Sequence, residues 1–172
     1  MKRLTNLRIY LLLFGLIASS LNVSAQAKDD QVKTVFVFNF TRYIQWPSNQ
    51  SDITIGILGN DAELEKAFND MASKKSTSTK KIVIKKFTSA NEAGNCDIVY
   101  IPESNSAHFT QVKSQNLKNV LIITEKPGLG REGSGINFIQ VDGKMRFEIN
   151  KSEIERAGLK VSSQLLGLAV EV

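Results

Sequence analysis

The sequence predicts a single-domain, layered α/β fold: a mostly parallel central sheet with flanking helices and a C-terminal antiparallel hairpin. Three observations carry that expectation. Short apolar runs at Ile53–Gly59, Asp97–Ile101 and Val120–Ile123 alternate with segments of helical character. Strands alternating with helices favour a parallel sheet covered on both faces, and continuous apolar runs are what doubly covered strands look like. Asp142-Gly143 lies between two alternating stretches, the signal for a two-residue hairpin loop whose central positions need positive φ. No internal repeat and no second domain is visible.

The first 27 residues read as an export signal. Lys2, Arg3 and Arg8 precede a short apolar run, Ile9–Ala18, and small residues offer cleavage after Ala25 or Ala27. The run is shorter than the roughly 20 residues of a membrane span. The mature domain is then residues 28–172. The segment holds three of the 22 basic residues and none of the 17 acidic ones, so without it the net charge falls from +5 to +2. The remaining basic cluster, Lys74, Lys75, Lys80, Lys81, Lys85 and Lys86, has no interleaved aromatics. It reads as a solvated rim, and a nucleic-acid partner is not expected. Cys96 is the only cysteine, which excludes an intramolecular disulfide and fits a small buried hydrophobe.

Along the chain, the first helix is centred on Phe36–Pro47. Val32, Val35, Phe36, Val37, Phe40, Tyr43 and Ile44 form its expected buried arc, with Asn39 in the middle, hydrogen-bonded to another segment. Thr34, Thr41, Arg42 and Gln45 take the opposite side, and Pro47 ends the helix. Asp61 caps a helix running to about Ala72. Ser73–Thr79 is a loop, and Lys81–Phe87 a strand with Ile82, Ile84 and Phe87 inward. Ser104 or Asn105 caps a helix through Phe109 and Val112. The hairpin register pairs Val141 with Lys144, Ile139 with Arg146 and Phe138 with Phe147. Asn150 and Glu153 form a capping box, and Gly158 stops the short helix they open. A last helix, capped by Ser162 or Ser163, buries Val161, Leu165, Leu166, Leu168 and Ala169.

The chemistry-bearing residues are few. Gly128-Leu-Gly130-Arg-Glu-Gly133 matches GxGxxG, but a strand follows where the dinucleotide fingerprint needs a helix N-terminus. It reads instead as a tight surface loop, a lid or partner contact if it moves. One histidine, His108, and one cysteine do not make a zinc cluster or a convincing nucleophile–base pair. Ser162-Ser163 lacks the GxSxG elbow. The expectation is therefore no catalytic group, no metal and no cofactor. The better candidate is a crevice outside the carboxyl ends of the parallel strands, where Asn60, Asp61, Glu103, Ser104, Asn105, Thr124 and Glu125 fall. The bland alternative is that these residues only cap helices and turns. Phe38, Arg42 and Trp46 are candidates for a partner surface. For Phe38 the alternative is cover by a second layer of the same chain.

The segments FVFNFTRYIQWP (Phe36–Pro47), ITIGILG (Ile53–Gly59), NCDIVYI (Asn95–Ile101), VLIITE (Val120–Glu125), GINF (Gly135–Phe138) and above all RFEINKSEIERAGLKVSSQLLGLA (Arg146–Ala169) resemble the YfiR-like family of periplasmic proteins. The resemblance implies a non-enzymatic, exported regulator in the cyclic-di-GMP pathway. Its partner would be the periplasmic sensor domain of an inner-membrane signalling protein, a diguanylate cyclase, held inactive until an envelope signal releases it. Self-association as a homodimer is a second partnership this reading allows. Redox control through an intramolecular disulfide is closed to a chain whose only cysteine is Cys96. The alternative is a periplasmic small-molecule binding module without a cyclase partner.

Overall fold

A computed structural model describes residues 26–47 and 52–172, so most of the expected export signal lies outside the described residues. A helix over residues 26–43 (α1) leads into β1 (Ile44–Gln45). Then follow β2 (Ile53–Leu58), α2 (Ala62–Lys75), β3 (Ile82–Phe87), a 3-10 turn (Ala90–Asn95) and β4 (Ile98–Ile101). A second 3-10 turn (Glu103–His108), α3 (Phe109–Ser114), β5 (Leu121–Thr124), β6 (Ile136–Val141) and β7 (Lys144–Ile149) continue the chain. The last elements are α4 (Lys151–Arg156), β8 (Lys160–Val161), α5 (Ser163–Leu166) and β9 (Val170–Glu171). The main sheet has seven strands in the order β3-β2-β4-β5-β6-β7-β9. From β3 to β6 every pairing is parallel, β6–β7 is the antiparallel hairpin, and β9 returns parallel to β7. The α/β class and the mostly parallel sheet are as the sequence predicts.

Alternation along the strands builds two cores. Ile55, Ile57, Ile98, Tyr100, Ile123, Phe138 and Phe147 face α1 and α2, where Val37, Phe40, Leu64 and Phe68 meet them. Val99, Ile101 and Leu58 point the other way, onto Phe109, Val112, Phe87 and Cys96. The hairpin register is the predicted one, Val141↔Lys144 through Phe138↔Phe147, and both turn residues adopt positive φ. Asp61 caps α2 by accepting from the amides of Glu63 and Leu64. Gly158 takes φ +86° after α4.

Several expectations are corrected. The buried stripe of α1 is Asp30, Lys33, Thr34, Val37, Phe40, Thr41 and Ile44, with helical spacing. Val32 and Val35 are 38% and 50% exposed, and Asn39 is half-buried rather than central to the buried arc. Thr34 and Thr41 tolerate burial because their hydroxyls donate to the carbonyls of Gln31 and Phe38. The helix ends at Tyr43, ahead of Pro47. The Tyr43 carbonyl accepts from the Ser162 amide at 2.9 Å, and Ile44 and Gln45 pair antiparallel with Val161 and Lys160. Neither Ser104 nor Asn105 caps a helix by its side chain: the 3-10 turn starts after Pro102. Only half of the capping box forms, since Asn150 accepts from the Glu153 amide while the Glu153 carboxylate binds Arg156. The last helix is short. It is capped by Ser162 and buries Leu165, whereas Leu168 is 60% exposed because the chain turns into β9.

Cys96 is buried, as expected, and it constrains Gly56. A Cβ on Gly56 would lie 2.4 Å from Cys96 Sγ and 2.6 Å from the Phe87 ring. Gly56→Ala is therefore expected to cost about 1–3 kcal/mol by overpacking. Urea unfolding would show it, and a variant as stable as wild type would mean that this contact is looser than drawn.

A candidate ligand crevice at the strand ends

The carboxyl ends of β2, β4 and β5 open onto a crevice of about 810 Å3, within the size range of small-molecule sites. Its polar side carries Asp61, Glu103, Ser104 and Glu125 from the sheet side, and Gln26, Asp29, Asp30 and Lys33 from α1. Its apolar side carries Leu64, Phe138, Ile139 and Met145. The sheet places the first group because successive parallel strands end side by side. α1 supplies the second because it lies across the same end with its buried stripe inward.

At the base, five side chains are joined. Lys33 Nζ lies 3.0 Å from Glu125 Oε2 and 3.5 Å from Asp30 Oδ1. Tyr100, fully buried, donates its hydroxyl to Glu125 Oε1. Gln26 Nε2 donates to Asp30 Oδ1 at 3.0 Å. Asp30 Oδ2 is buried and has no partner among the described residues. An unsatisfied buried acceptor costs about 1–3 kcal/mol, more when charged. Desolvation accordingly pushes the Asp30 carboxyl up, against the pull of Lys33 and the Gln26 hydrogen bond. For Lys33, burial works to lower the pKa, but Glu125 and Asp30 outweigh it and the ammonium is held above its ordinary value. Burial, then the Glu125 charge, raises Tyr100 well above its ordinary value.

The sign of the alkaline effect follows. Tyr100 and Lys33 both keep their protons longer in the folded chain, so their contribution is complete below about pH 10 and is lost as pH rises through their folded values. Tyr100→Phe is expected to cost about 1.5–3 kcal/mol near pH 7, through the lost bond to a carboxylate. Above pH 10 its stability should fall less steeply than wild type, by about 1.4 kcal/mol per pH unit for the one proton removed. Parallel alkaline profiles would show that Tyr100 does not titrate with unfolding.

Of the sequence candidates, Asp61, Glu103, Ser104 and Glu125 line the crevice. Asn60 is exposed outside the lining. Asn105 accepts from the Ser104 hydroxyl and sits against Gly59, whose φ of +117° and closeness to Asn105 leave no room for a Cβ. Thr124 is fully buried and donates to Asn137 Oδ1 at 2.7 Å; Asn137 in turn donates to Glu148. Asn137 alternates with Phe138, so this chain lies on the sheet face away from α1. Sequence reasoning missed Asp30 and Lys33. Their signal was spacing: they continue the stripe of Val37, Phe40 and Ile44 one and two turns toward the N-terminus.

On the candidate partner surface, Phe38 is half-buried beneath Lys75, whose Nζ lies 5.2 Å from the ring centroid. Trp46 donates its indole N–H to the Asn119 carbonyl at 3.0 Å, and Arg42 is exposed. The glycine-rich loop is fastened rather than loose. Asn150 Nδ2 donates to the Gly130 carbonyl, Ser134 N to that of Leu129, and Leu129 is buried. Among the described residues no helix is long and apolar enough to cross a membrane.

The fold and crevice define an α/β domain with a polar pocket at the carboxyl ends of its parallel strands. A family model described as YfiR/HmsC-like (DUF4154) matches residues 30–170, and the chain belongs to that family. No curated protein matches the chain by sequence. Among solved structures it is similar to a conserved domain protein from Vibrio cholerae, with a TM-score of 0.54 and 12% identity over 83% of this chain and 59% of that one. It is also similar to an ABC domain solved with L-Trp from Streptococcus pneumonia, with a TM-score of 0.49 and 14% identity over 70% of this chain and 55% of that one. In both cases the match spans less than two thirds of the other chain.

Proposed function

We propose that this protein is an exported, non-enzymatic regulator that docks on the periplasmic sensor domain of an inner-membrane diguanylate cyclase and holds it inactive. Membership of the YfiR/HmsC-like family across residues 30–170 is the observation that carries this reading. The amino-terminal segment, residues 1–27, is its export signal. Regulation is a population shift: docking favours the cyclase's inactive state, and whatever weakens docking releases it. The docking face is assigned to the outer side of α1, where Val32, Val35 and Arg42 stand exposed and Phe38 borders them.

Crosslinking a tagged copy in intact cells, followed by mass spectrometry, tests the reading. The expected capture is a membrane protein with a periplasmic sensor and a cytoplasmic diguanylate cyclase domain. Recovery of the tagged protein alone would remove the support for a cyclase partner. The double substitution Val35→Glu and Arg42→Glu is expected to reduce that capture about tenfold or more, as loss of an interface anchor does, with the thermal midpoint unchanged. Undiminished capture would put the docking face elsewhere. A second reading, a periplasmic small-molecule binding module, is favoured by one specific observation: Asp30 lines the crevice and one of its carboxylate oxygens is buried with no partner among the described residues.

A further inference from the structure

We propose that the crevice is a receptor site for an organic amine, with an ammonium group on Asp30 Oδ2 and the carbon body against Leu64, Phe138 and Met145. The inference deepens the small-molecule reading and rests on it. Charge points to the class. Among the described residues, Asp29, Asp30, Asp61, Glu103 and Glu125 line the crevice against a single base, Lys33. Both near partners of that base are carboxylates of the same group, Asp30 and Glu125. An entering anion meets uncompensated negative charge, whereas a cation meets complementary charge. The acceptor is specific as well. Asp30 is 3% exposed, and its Oδ1 is occupied by Gln26 and Lys33 while its Oδ2 has no donor among the described residues. An ammonium donates up to three hydrogen bonds and accepts none, so it satisfies that oxygen without leaving an orphan of its own.

A bare metal ion fits less well. Among the described residues no three His, Cys, Asp or Glu side chains converge as a metal site. The volume and the Leu64, Phe138 and Met145 wall suit a molecule with a carbon body. Glu125 is held in place by Tyr100 and Lys33, so the negative field at the base is built before any ligand arrives.

Three probes sharing one carbon chain isolate the charge: 1,6-diaminohexane, 1,6-hexanediol and adipate, titrated calorimetrically into the purified exported protein at neutral pH. The diamine is expected to bind about tenfold or more tightly than the diol, and adipate more weakly than either. Asp30→Asn should weaken the diamine about tenfold while leaving the diol unchanged, because the ammonium loses its charged acceptor. Should that variant fold poorly, Glu103→Gln on the exposed rim should weaken the diamine a few-fold, and added salt should shrink the difference. Preference for the diol or for adipate would overturn the amine class while leaving the crevice a binding site. Binding of none of the three at millimolar concentration would overturn both. Diamine binding indifferent to Asp30→Asn and to Glu103→Gln would overturn the placement.

Discussion

Lys33→Met is expected to destabilise the protein by about 3–5 kcal/mol near pH 7, the cost of breaking a buried ion pair from one side. Lys33 is 9% exposed at its side chain and is the counter-ion of two carboxylates, Glu125 at 3.0 Å and Asp30 at 3.5 Å. Methionine matches the length of the stem but removes the charge, leaving two shielded anions beside each other. The Asp30 carboxyl, already raised by desolvation, would lose the pull of Lys33 and rise further in the folded state. A raised carboxyl pKa contributes stability that is present below the unfolded value and lost as pH rises through the folded one. The deficit should therefore be large at pH 7 and smaller at pH 5, where the orphaned Asp30 carboxyl takes up a proton. Urea midpoints at the two values test this. A triple variant, Lys33→Met with Asp30→Asn and Glu125→Gln, should recover most of the loss, since removing all the charges together removes the desolvation penalty. A loss below about 1 kcal/mol, or one equal at both pH values, would place the pair in a more solvated setting than its geometry indicates.

The second large effect is Phe40→Ala, expected to cost about 3–5 kcal/mol, a sizeable part of the roughly 5–15 kcal/mol that holds a domain folded. Phe40 has no exposed surface. Its ring centroid lies 5.0 Å from that of Phe147 in a T-shaped arrangement, 6.0 Å from Phe138 and 6.2 Å from Phe36. Removing it leaves a cavity where α1 meets the hairpin, and the hairpin cannot move in to fill it without giving up its register with β5 and β9. Thermal or urea denaturation measures the loss. Phe40→Leu should cost less than half as much, because most of the volume remains. If the alanine variant loses under about 2 kcal/mol, α1 settles onto the sheet more freely than a close-packed cluster permits.

These two residues lie on one helix stripe, yet only one of them was legible in the sequence. Phe40 announces itself: a large apolar residue at helical spacing from Val37 and Ile44 has few places to go but a core. Lys33 does not, because a lysine on a helix is ordinarily solvated. What turns it inward is Glu125, 92 positions away, delivered by the end of a parallel strand. The same blindness misplaced the helix face. Val32 and Val35 pulled the expected arc toward solvent, while Thr34 and Thr41, satisfied by their own helix carbonyls, were read as surface. In sequence, Trp46 and Pro47 look like the helix terminus, but pairing of Ile44–Gln45 with β8 ends it earlier.

By itself the sequence determined what depends on near neighbours: strand alternation and the apolar runs that make a parallel sheet, the Asp142-Gly143 hairpin with its register, the caps at Asp61 and Asn150, and the stop at Gly158; between Ser162 and Ser163 as the last cap the structure decided. Each is a local choice between a few backbone states, and the chain's own order decides it. Only the tertiary structure decided which way α1 faces, that β9 completes the sheet, and which strand-end residues converge. Asp61, Glu103, Ser104 and Glu125 share the crevice, Thr124 turns to the opposite face, and Asp30 and Lys33 come in from α1. Such choices depend on whether a polar group finds a partner far along the chain, and a buried charge becomes tolerable only once that partner is in place.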